Sequence, residues 1–536
     1  MKLTYKIDNF IYNTDKTCLD LEIKEEQLNN LTIITVKAKT DLELIDAKID
    51  IKVNFKKSDN LFFNGYQSWT DSFELNKNSS EKNILKPLIR KKVIQKYALD
   101  KYGDSNFYKY SKRKLHGYDL FYAKSNDEYF IYNLNIKQAY LIFEYNKKNK
   151  LTLKSDILGK TLKEGESYQV FSFKSFDSIE VGYKSFIQEF SVDNPKIFGY
   201  TSWYNTYQNI NEDLINECLD ALDSRFNLFQ IDDGYETYVG DWLNIDKNKF
   251  KDGLLRVVDK IHSKGLMAGI WLAPFAAEEK SVLFNTHKDW FLKDELGNCI
   301  KAGCNWNGFY ALDLTKDEVK EYIKNCLTYY SQIGFDFFKL DFVYAASIVV
   351  PKGYTRSSWQ QHTYSFLRSC LPNKLILGCG ANLFNSYLNF DYLRVGCDVS
   401  LDFDDKLYMR LLHRERNSTK NTVQNTIYRS IFDKHLFLND SDVFVLRDDN
   451  TTLSIKQREA LLKINSIFSS VLMTSDNISK YDESKNELLN NALKLFNNVS
   501  NVKYNKHNNK IDIVYTYNNK EYKILYDTRK GIIYDR

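Results

Sequence analysis

The fold is decided by residues 334–346, GFDFFKLDFVYAA. The stretch has the composition of a buried β-strand, yet it carries Lys339 and Asp341. Because side chains alternate along a strand, these two charges share the face opposite Phe338 and Leu340. A buried charge is costly unless it is paired or used. The stretch therefore predicts either a structural ion pair on an edge strand or a catalytic carboxylate beside a cation at the end of a barrel strand.

Strand-like runs alternate with helical patterns after Pro195, as in parallel βαβ units. Seven strand candidates can be read, and an eighth is expected near SSVLMTSD (469–476). Eight such units in roughly this length predict a (β/α)8 TIM barrel, which we place at residues 186–478. Within the barrel, TKDE (315–318) predicts a capping box at the start of a helix.

The two flanks of the barrel have a different pattern. Residues 1–185 contain short alternating or β-branched runs, such as LTIITVKA and AYLIFEY, separated by turn signals, and they predict an N-terminal β-sandwich domain. Residues 479–536 begin with a helical pattern and continue with strands such as KIDIVYTY, which predicts a small C-terminal β-domain. We therefore expect an α/β protein of three domains with the TIM barrel at its centre.

The overall composition limits the kinds of binding partner that we expect for this chain. The chain has 536 residues, of which 43% are hydrophobic, and should form a globular protein with a large core. Its formal charge of +5 is small for this length and argues little about partners. Basic stretches at 86–96 and 109–118 are broken by apolar residues at strand spacing and predict solvated sheet faces. We expect no nucleic-acid partner and no membrane contact.

Cysteine and histidine usage argues against several metal and redox sites. The eight cysteines form no CxxC pair and the seven histidines no HExxH motif, so zinc ribbons, redox motifs and metallopeptidases have no support. The stretch MKLTYKIDNFIYNTDKT lacks the apolar core of a signal peptide. We expect free thiols in a reducing cytoplasm and no cofactor. Homo-oligomerisation stays open.

The active site of such a barrel forms at the carboxyl ends of its strands. Tryptophan faces stack on the C–H faces of sugar rings, and carboxylates accept hydrogen bonds from sugar hydroxyls. The residues found at or just beyond the predicted strand ends fit a carbohydrate ligand better than a phosphate ester or a nucleotide. They are Trp203, Asp232, Asp233, Trp271, Lys339, Asp341, Cys379, Arg394 and Asp398.

Each of these residues, taken singly, also has a structural interpretation. Only their joint placement on one rim favours a functional site. The structural interpretations are a turn for Asp232–Gly234, barrel core for Trp203 and Trp271, a pair with Asp391 for Arg394, and an apolar filler for Cys379.

Two isolated carboxylates suggest glycoside hydrolysis, in which one attacks and the other donates a proton. Lys339 favours the charged form of Asp341, as a nucleophile requires. Asp398 lies beside Val395 and Val399, and we expect a poorly solvated carboxyl that keeps its proton, as an acid/base needs. The adjacent side chains of Asp232 and Asp233 diverge, which suits holding two different hydroxyls.

The motifs FQIDDGY, GDWL, GIWLAPF, YALDLTKDEV, FFKLDF, LILGCG, LRVGCD and LNDSD occur in the order and spacing of glycoside hydrolase family 36. Over about residues 197–447 the chain resembles the compact bacterial α-galactosidases of that family. The resemblance implies a retaining, metal-free mechanism with Asp341 as nucleophile and Asp398 as acid/base. It further implies sugar contacts from Asp232, Asp233, Trp271, Lys339, Cys379 and Arg394, and from Trp69 of the N-terminal domain. Cys397, where the family more often has proline, and the acidic SLDFDD that follows Asp398 depart from the family pattern.

The leading prediction is a cytoplasmic exo-α-galactosidase acting on small oligosaccharides of the melibiose or raffinose type. An α-N-acetylgalactosaminidase or an α-galactosyl transferase would use the same site. A metal-dependent barrel hydrolase would instead use Asp232, Asp233, Asp341 and Asp398 as ligands, although the charge of Lys339 would repel the metal. A sugar-binding protein without catalysis is the remaining alternative.

Overall fold

The computed structural model describes residues 1–81, 96, 98–146, 148–404 and 406–536. Two seven-stranded antiparallel sheets form its N-terminal part, in the orders β2-β1-β5-β12-β11-β8, with β13 on β5, and β3-β4-β14-β10-β9-β6-β7. The strands are β1 (Lys2–Ile7), β2 (Phe10–Thr14), β3 (Leu21–Leu28), β4 (Leu31–Ala38), β5 (Leu42–Lys52), β6 (Asn60–Phe63), β7 (Glu74–Leu75), β8 (Lys114–Tyr118), β9 (Leu120–Lys124), β10 (Tyr129–Asn133), β11 (Leu141–Asn146), β12 (Lys150–Ser155), β13 (Thr161–Leu162) and β14 (Ser167–Phe176).

The two sheets pack face to face, as the alternating apolar runs predict. Phe121 of one sheet stacks on Phe143 of the other with ring centroids 5.6 Å apart, and both side chains are buried. The β-sandwich prediction is therefore confirmed. The basic stretch at 109–118 is only partly a solvated face, because residues 115–118 are buried, and residues 86–95 lie outside the described part. Burial alone would lower the pKa of His116 in that strand, but the carboxylates of Glu81 and Asp104 raise it to about 9.

Eight parallel strands close the predicted TIM barrel, and β25 pairs with β15 to complete the ring. The barrel strands are β15 (Ile197–Thr201), β16 (Leu228–Ile231), β17 (Met267–Leu272), β21 (Phe337–Leu340), β22 (Leu375–Gly378), β23 (Tyr392–Arg394), β24 (Leu438–Phe444) and β25 (Val471–Thr474). A three-stranded sheet of β18 (Ala276–Glu278), β19 (Lys301–Gly303) and β20 (Phe309–Ala311) is inserted after β17. In the pairing of β17 with β21, Trp271 stands opposite Lys339, which brings two predicted site residues side by side.

Most helices surround the barrel, whereas the first, Ile179–Glu189, packs on β9, β10 and β14 of the N-terminal part. The helices are α1 (Ile179–Glu189), α2 (Trp203–Thr206), α3 (Glu212–Ala221), α4 (Leu255–Ser263), α5 (Val282–Thr286), α6 (Asp317–Gln332), α7 (Arg356–Cys370), α8 (Leu383–Ser386), α9 (Thr419–Tyr428), α10 (Ile455–Phe468) and α11 (Glu483–Asn498). The capping box predicted at 315–318 is wrong. The Thr315 hydroxyl donates to Asp313 at 2.6 Å, so it does not cap α6, whose N-cap is Lys316.

The C-terminal part is a four-stranded antiparallel sheet, as predicted. Its strands are β26 (Ser500–His507), β27 (Lys510–Tyr517), β28 (Lys520–Asp527) and β29 (Ile532–Asp535). Tyr504 of this sheet lies 3.1 Å from the hydroxyl of Tyr122 in the N-terminal part, so the two ends of the chain meet. The exact domain boundaries stay predictions. Within the described ranges no helix has the length and apolarity that crossing a membrane requires.

Candidate active site

Asp341 follows directly on β21 and is held by its neighbours at both oxygens. Its Oδ2 accepts the indole N–H of Trp271 at 3.0 Å, and its Oδ1 accepts the backbone N–H of Phe342 at 2.8 Å. Phe342 has φ 52°, a left-handed conformation that turns its amide back onto the carboxylate. Burial raises the pKa of Asp341, while the charge of Lys339 and the Trp271 N–H oppose that effect. The carboxylate is thus fixed in direction and shielded from water.

Lys339 makes its direct ion pair with Asp232 and not with Asp341. Its Nζ lies 2.8 Å from Asp232 Oδ2, which also accepts the amide N–H of Gln230 at 2.7 Å. Burial alone would lower the pKa of Lys339, but Asp232 raises it overall, so the ammonium stays charged. The edge-strand alternative is wrong, because β21 pairs with β17 on one side and β22 on the other. The charge of Lys339 still favours the ionised form of Asp341, and the catalytic interpretation stays a prediction.

Asp233 has three partners that the sequence reading missed. Gln208 donates to its two oxygens at 3.1 and 3.0 Å, Trp306 donates its indole N–H to Oδ2 at 2.9 Å, and Glu236 hydrogen-bonds to it. Burial raises the pKa of both carboxyls of this pair. Trp306 lies between β19 and β20 with φ 54°, so neither strand-end position nor spacing could have identified it. Asp233 and Glu236 are therefore a carboxyl pair at the mouth of the barrel.

Asp398 is half-buried and is the more exposed of the two candidate catalytic carboxyls. Its Oδ1 accepts from the hydroxyl of Tyr204 at 2.9 Å and from Nη1 of Arg394 at 3.0 Å, and its side chain is 37% exposed. The expectation of a poorly solvated Asp398 is wrong. Val395 and Val399 turn into the core, but the loop between them directs the carboxyl outward.

Arg394 is bound on three sides by carboxylates. Besides Asp398, it contacts Asp440 and Asp442 of β24, at 2.8 and 2.9 Å. The alternative pair of Arg394 with Asp391 is wrong, since Asp391 binds Arg368 at 2.6 Å. Asp440 and Asp442 were missed as site residues, although both stand in the quoted LNDSD motif, two positions apart on one strand.

Trp69 reaches the barrel mouth from the N-terminal part, as the resemblance implied. Its indole N–H points at the sulfur of Cys379, 3.4 Å away, and its ring packs edge-on against Phe342. A Cβ added to Gly380 would lie 2.9 Å from the Trp69 ring, and Gly380 has φ +68°. Cys379 is buried against this ring, and its proposed sugar contact stays a prediction.

The two tryptophans predicted at strand ends occupy different settings. Trp271 is buried, with its N–H bound to Asp341. Trp203 is half-buried and stands edge-on to Tyr207, with ring centroids 5.2 Å apart. Both Trp203 and Tyr207 line a cavity of about 210 Å³ together with Asp398, Asp402 and Asn417. The half-buried carboxyl of Asp398 therefore opens onto an aromatic and polar cavity.

The carboxylates that a metal site would need are already bound to protein donors. Asp232 binds Lys339, Asp341 binds Trp271, and Asp398 binds Arg394. Within the described part of the chain, no group of three or more His, Cys, Asp and Glu side chains is arranged to hold a metal. The metal-dependent alternative therefore lacks a ligand set among these residues.

The melibiase family model matches residues 170–369. The chain is 27% identical over 222 residues to alpha-galactosidase 1 of Pediococcus pentosaceus, which covers 39% of this chain and 29% of that protein. It is 25% identical over 264 residues to an A type blood alpha-D-galactosamine galactosaminidase of Flavonifractor plautii, covering 44% of this chain and 24% of that protein. The matches span less than a third of the length of these curated relatives.

The fold is similar to that of TtGalA, an alpha-galactosidase from Thermus thermophilus solved with p-nitrophenyl alpha-D-galactopyranoside. The TM-score is 0.71 at 22% sequence identity, and the match covers 93% of this chain and 98% of that one. At this identity the likeness shows a shared fold. The melibiase match and the shared fold agree with the resemblance of the chain to glycoside hydrolase family 36.

Proposed function

We propose that the protein is a retaining, exo-acting α-galactosidase that hydrolyses terminal α-linked galactose from small oligosaccharides of the melibiose or raffinose type. The observation that carries the proposal is the contrast between Asp341 and Asp398. Asp341 is 8% exposed and fixed by two N–H donors, whereas Asp398 is half-buried and lines a cavity. Retaining glycosidases need such a division between a nucleophile and a proton donor.

Each carboxyl has a defined step in this mechanism. A lone pair of Asp341 attacks the anomeric carbon, and the bond to the leaving oxygen breaks as Asp398 delivers its proton to that oxygen. The galactose is then an ester of Asp341. Asp398, now ionised, takes a proton from water, the water oxygen attacks the anomeric carbon, and Asp341 is released with net retention. The Trp271 N–H is placed to stabilise Asp341 when it carries charge, before attack and after release.

The galactose pocket is proposed to lie between Trp69, Cys379 and the Asp232–Lys339 pair. Asp232 and Asp233 would read the axial O4 and O6, and Lys339 would help at O3 or O4. Trp69 closes one wall, which favours binding a chain end. Since Trp69 also covers Gly380, the wall near the sugar 2-position supports galactose over a sugar with a 2-acetamido group. The leaving group would occupy the cavity beside Trp203 and Tyr207.

The comparisons support an α-galactoside substrate and leave an α-N-acetylgalactosaminide as the alternative. The Pediococcus relative is named an alpha-galactosidase, and TtGalA was also solved with stachyose. The Flavonifractor relative is named a galactosaminidase, so the substituent at C2 requires a direct test. A cytoplasmic location is supported by the eight cysteines, all in the described part of the chain and all free.

The deciding experiment is hydrolysis of a panel of nitrophenyl α-glycosides, with the galactoside, glucoside and N-acetylgalactosaminide compared at equal concentration. Melibiose and raffinose are run beside them, with and without EDTA, and proton NMR follows the first anomer released. We expect α-galactose as the first product, undiminished by EDTA, and little turnover of the other two sugars. Release of β-galactose, chelator-sensitive activity, or binding without turnover by any sugar would overturn the proposal. The amount of galactosylated sugar formed at high substrate concentration would measure how often galactose is transferred to a sugar instead of to water.

A further inference from the structure

The guanidinium of Arg394 is surrounded by three carboxylates, one at each nitrogen. Nε lies 2.8 Å from Asp440 Oδ2, Nη2 lies 2.9 Å from Asp442 Oδ1, and Nη1 lies 3.0 Å from Asp398 Oδ1. Asp440 and Asp442 are fully buried, whereas Asp398 faces the cavity. The arginine thus stands between two inner carboxylates and the more exposed one.

Asp442 also holds the backbone beside Asp398. Its Oδ2 accepts the N–H of Val399 at 2.6 Å, and its own N–H donates to Asp440 Oδ1 at 2.8 Å. Asp442 has φ 70°, a left-handed conformation that is costly for aspartate and persists only where the surroundings require it. The two aspartates, called the inner pair below, therefore fix both Arg394 and the residue that follows Asp398.

A lone guanidinium beside a proton donor would work against catalysis. A positive charge within hydrogen-bond distance favours the ionised carboxylate, and an ionised Asp398 has no proton to give. The carboxyl groups of the inner pair lie at Nε and Nη2 of Arg394 and share its positive charge, so less of that charge acts on Asp398. Burial raises the pKa of Asp442, and Arg394 opposes that effect.

We propose that the inner pair, Asp440 and Asp442, positions Arg394 and offsets its charge, so that Asp398 keeps the proton that it delivers to the leaving group. This inference rests on the proposed function. The inner pair contacts no reacting atom and acts through Arg394 and Asp398. The charged and titratable groups that face Asp398 or Asp442 across the neighbouring elements include Arg394, Tyr204, Tyr207, Asp341, Cys379 and Cys397, and Asp402 and Lys406 line the cavity with Asp398.

The sign of the effect follows from the charges. Replacing Asp442 by asparagine removes a negative charge and leaves Arg394 less compensated, so Asp398 should lose its proton at lower pH. The alkaline limb of the kcat/KM profile should then move down by about one pH unit. Raffinose, whose leaving group needs a proton, should lose about tenfold or more at neutral pH, and a dinitrophenyl galactoside only a few-fold.

The experiment compares Asp442→Asn, Asp440→Asn and the control Asp433→Asn on both substrates across pH. Asp433 is a half-buried aspartate that accepts the backbone N–H of Asn439 and the hydroxyl of Ser470, near the start of β24. The control should leave the profile unchanged. A downward shift in either inner-pair variant, with a larger loss on raffinose than on the dinitrophenyl galactoside, supports the proposal. Equal losses on both substrates with an unmoved limb, in folded protein, would overturn it.

Two measurements keep this test separate from the proposed function. Wild-type protein inactive on every galactoside would overturn the α-galactosidase assignment alone. In that case a carbon-13 titration of the aspartate carboxyls, with the Asp398 signal identified by Asp398→Asn, still tests the inner pair. The Asp398 midpoint should fall in Asp442→Asn, and an unchanged midpoint would reject the inference. Thermal unfolding of each variant shows whether it is folded. If one of the two inner-pair variants fails to fold, the other is used for the test.

Discussion

Trp271 donates its indole N–H to Asp341 across 3.0 Å, while the backbone pairing of their strands keeps the two residues in fixed register. This hydrogen bond favours the ionised carboxylate, whereas burial favours the protonated one. The tryptophan therefore acts on the candidate nucleophile and not only on the shape of the pocket.

Trp271→Phe should keep the ring and remove this donor. The pKa of Asp341 should rise, so the acidic limb of the kcat/KM profile should move to higher pH, with a loss of about tenfold at neutral pH. Trp242→Phe is the matched control, because Trp242 is a buried neighbour whose N–H has no acceptor among the described residues. An acidic limb that stays in place in Trp271→Phe would show that the N–H does not act on the carboxylate.

Asp341→Ala and Asp398→Ala should fail in different ways. Asp341→Ala should abolish turnover, and added azide should restore some activity by giving β-galactosyl azide, because the anion attacks the face that Asp341 vacates. Asp398→Ala should spare substrates with good leaving groups and give α-galactosyl azide, because the ester to Asp341 still forms. NMR of the two azides is the measurement. Exchanged configurations would mean that the two roles are reversed.

The separation of the two carboxyls gives a third check. A retaining enzyme should hold those of Asp341 and Asp398 about 5–5.5 Å apart, against about 6.5–9.5 Å for inversion. A crystal structure with a bound galactose analogue would measure this distance directly. A separation in the longer range would argue for a water between them and against a covalent intermediate.

Asp233→Asn should change sugar choice more than it changes folding. A carboxylate that has lost its hydroxyl partner is left desolvated, so sites of this kind discriminate by about 10⁴–10⁵. The variant should lose far more activity on the nitrophenyl galactoside than on the glucoside, which narrows the ratio of the two kcat/KM values. Asp241→Asn, which alters a buried carboxylate bound to the backbone of Val282 and Leu283, serves as the control. If the ratio of kcat/KM for the galactoside and the glucoside is unchanged in Asp233→Asn, Asp233 only stabilises a turn and does not set sugar specificity.

Trp203→Ala should weaken recognition of the leaving group. Its ring lines the cavity beside Asp398, so kcat/KM for raffinose should fall by about tenfold, while α-galactosyl fluoride, whose leaving group is too small to reach the ring, should be nearly unaffected. Trp290→Ala is a suitable control, since Trp290 is also a half-buried tryptophan, and it packs on His287 and Tyr322. Equal losses on raffinose and the fluoride would place Trp203 in the galactose pocket instead.

The sequence predicted the barrel and its strand-end residues well, because strand period and strand ends are local features. It did not predict the solvation of Asp398, because a three-residue loop decides which way that side chain points. It also missed Trp306 and Gln208, which reach Asp233 from outside the strand ends, and it assigned no role to Asp440 and Asp442. Asp440 and Asp442 stand two positions apart in β24, as Lys339 and Asp341 do at β21. The same spacing argument could therefore have identified them.

Trp69 and Cys379 are 310 positions apart in the chain, yet they share one wall of the pocket. A shortened chain that begins at the barrel would keep every carboxylate at the strand ends. It would lose Trp69, so the pocket would be open on that side. A domain exchange with a related protein would therefore have to carry the loop FNGYQSWT (residues 63–70), which contains Trp69, together with the barrel that it covers. Heat or protease damage confined to the N-terminal sheets should abolish the proposed activity while the barrel itself is still intact.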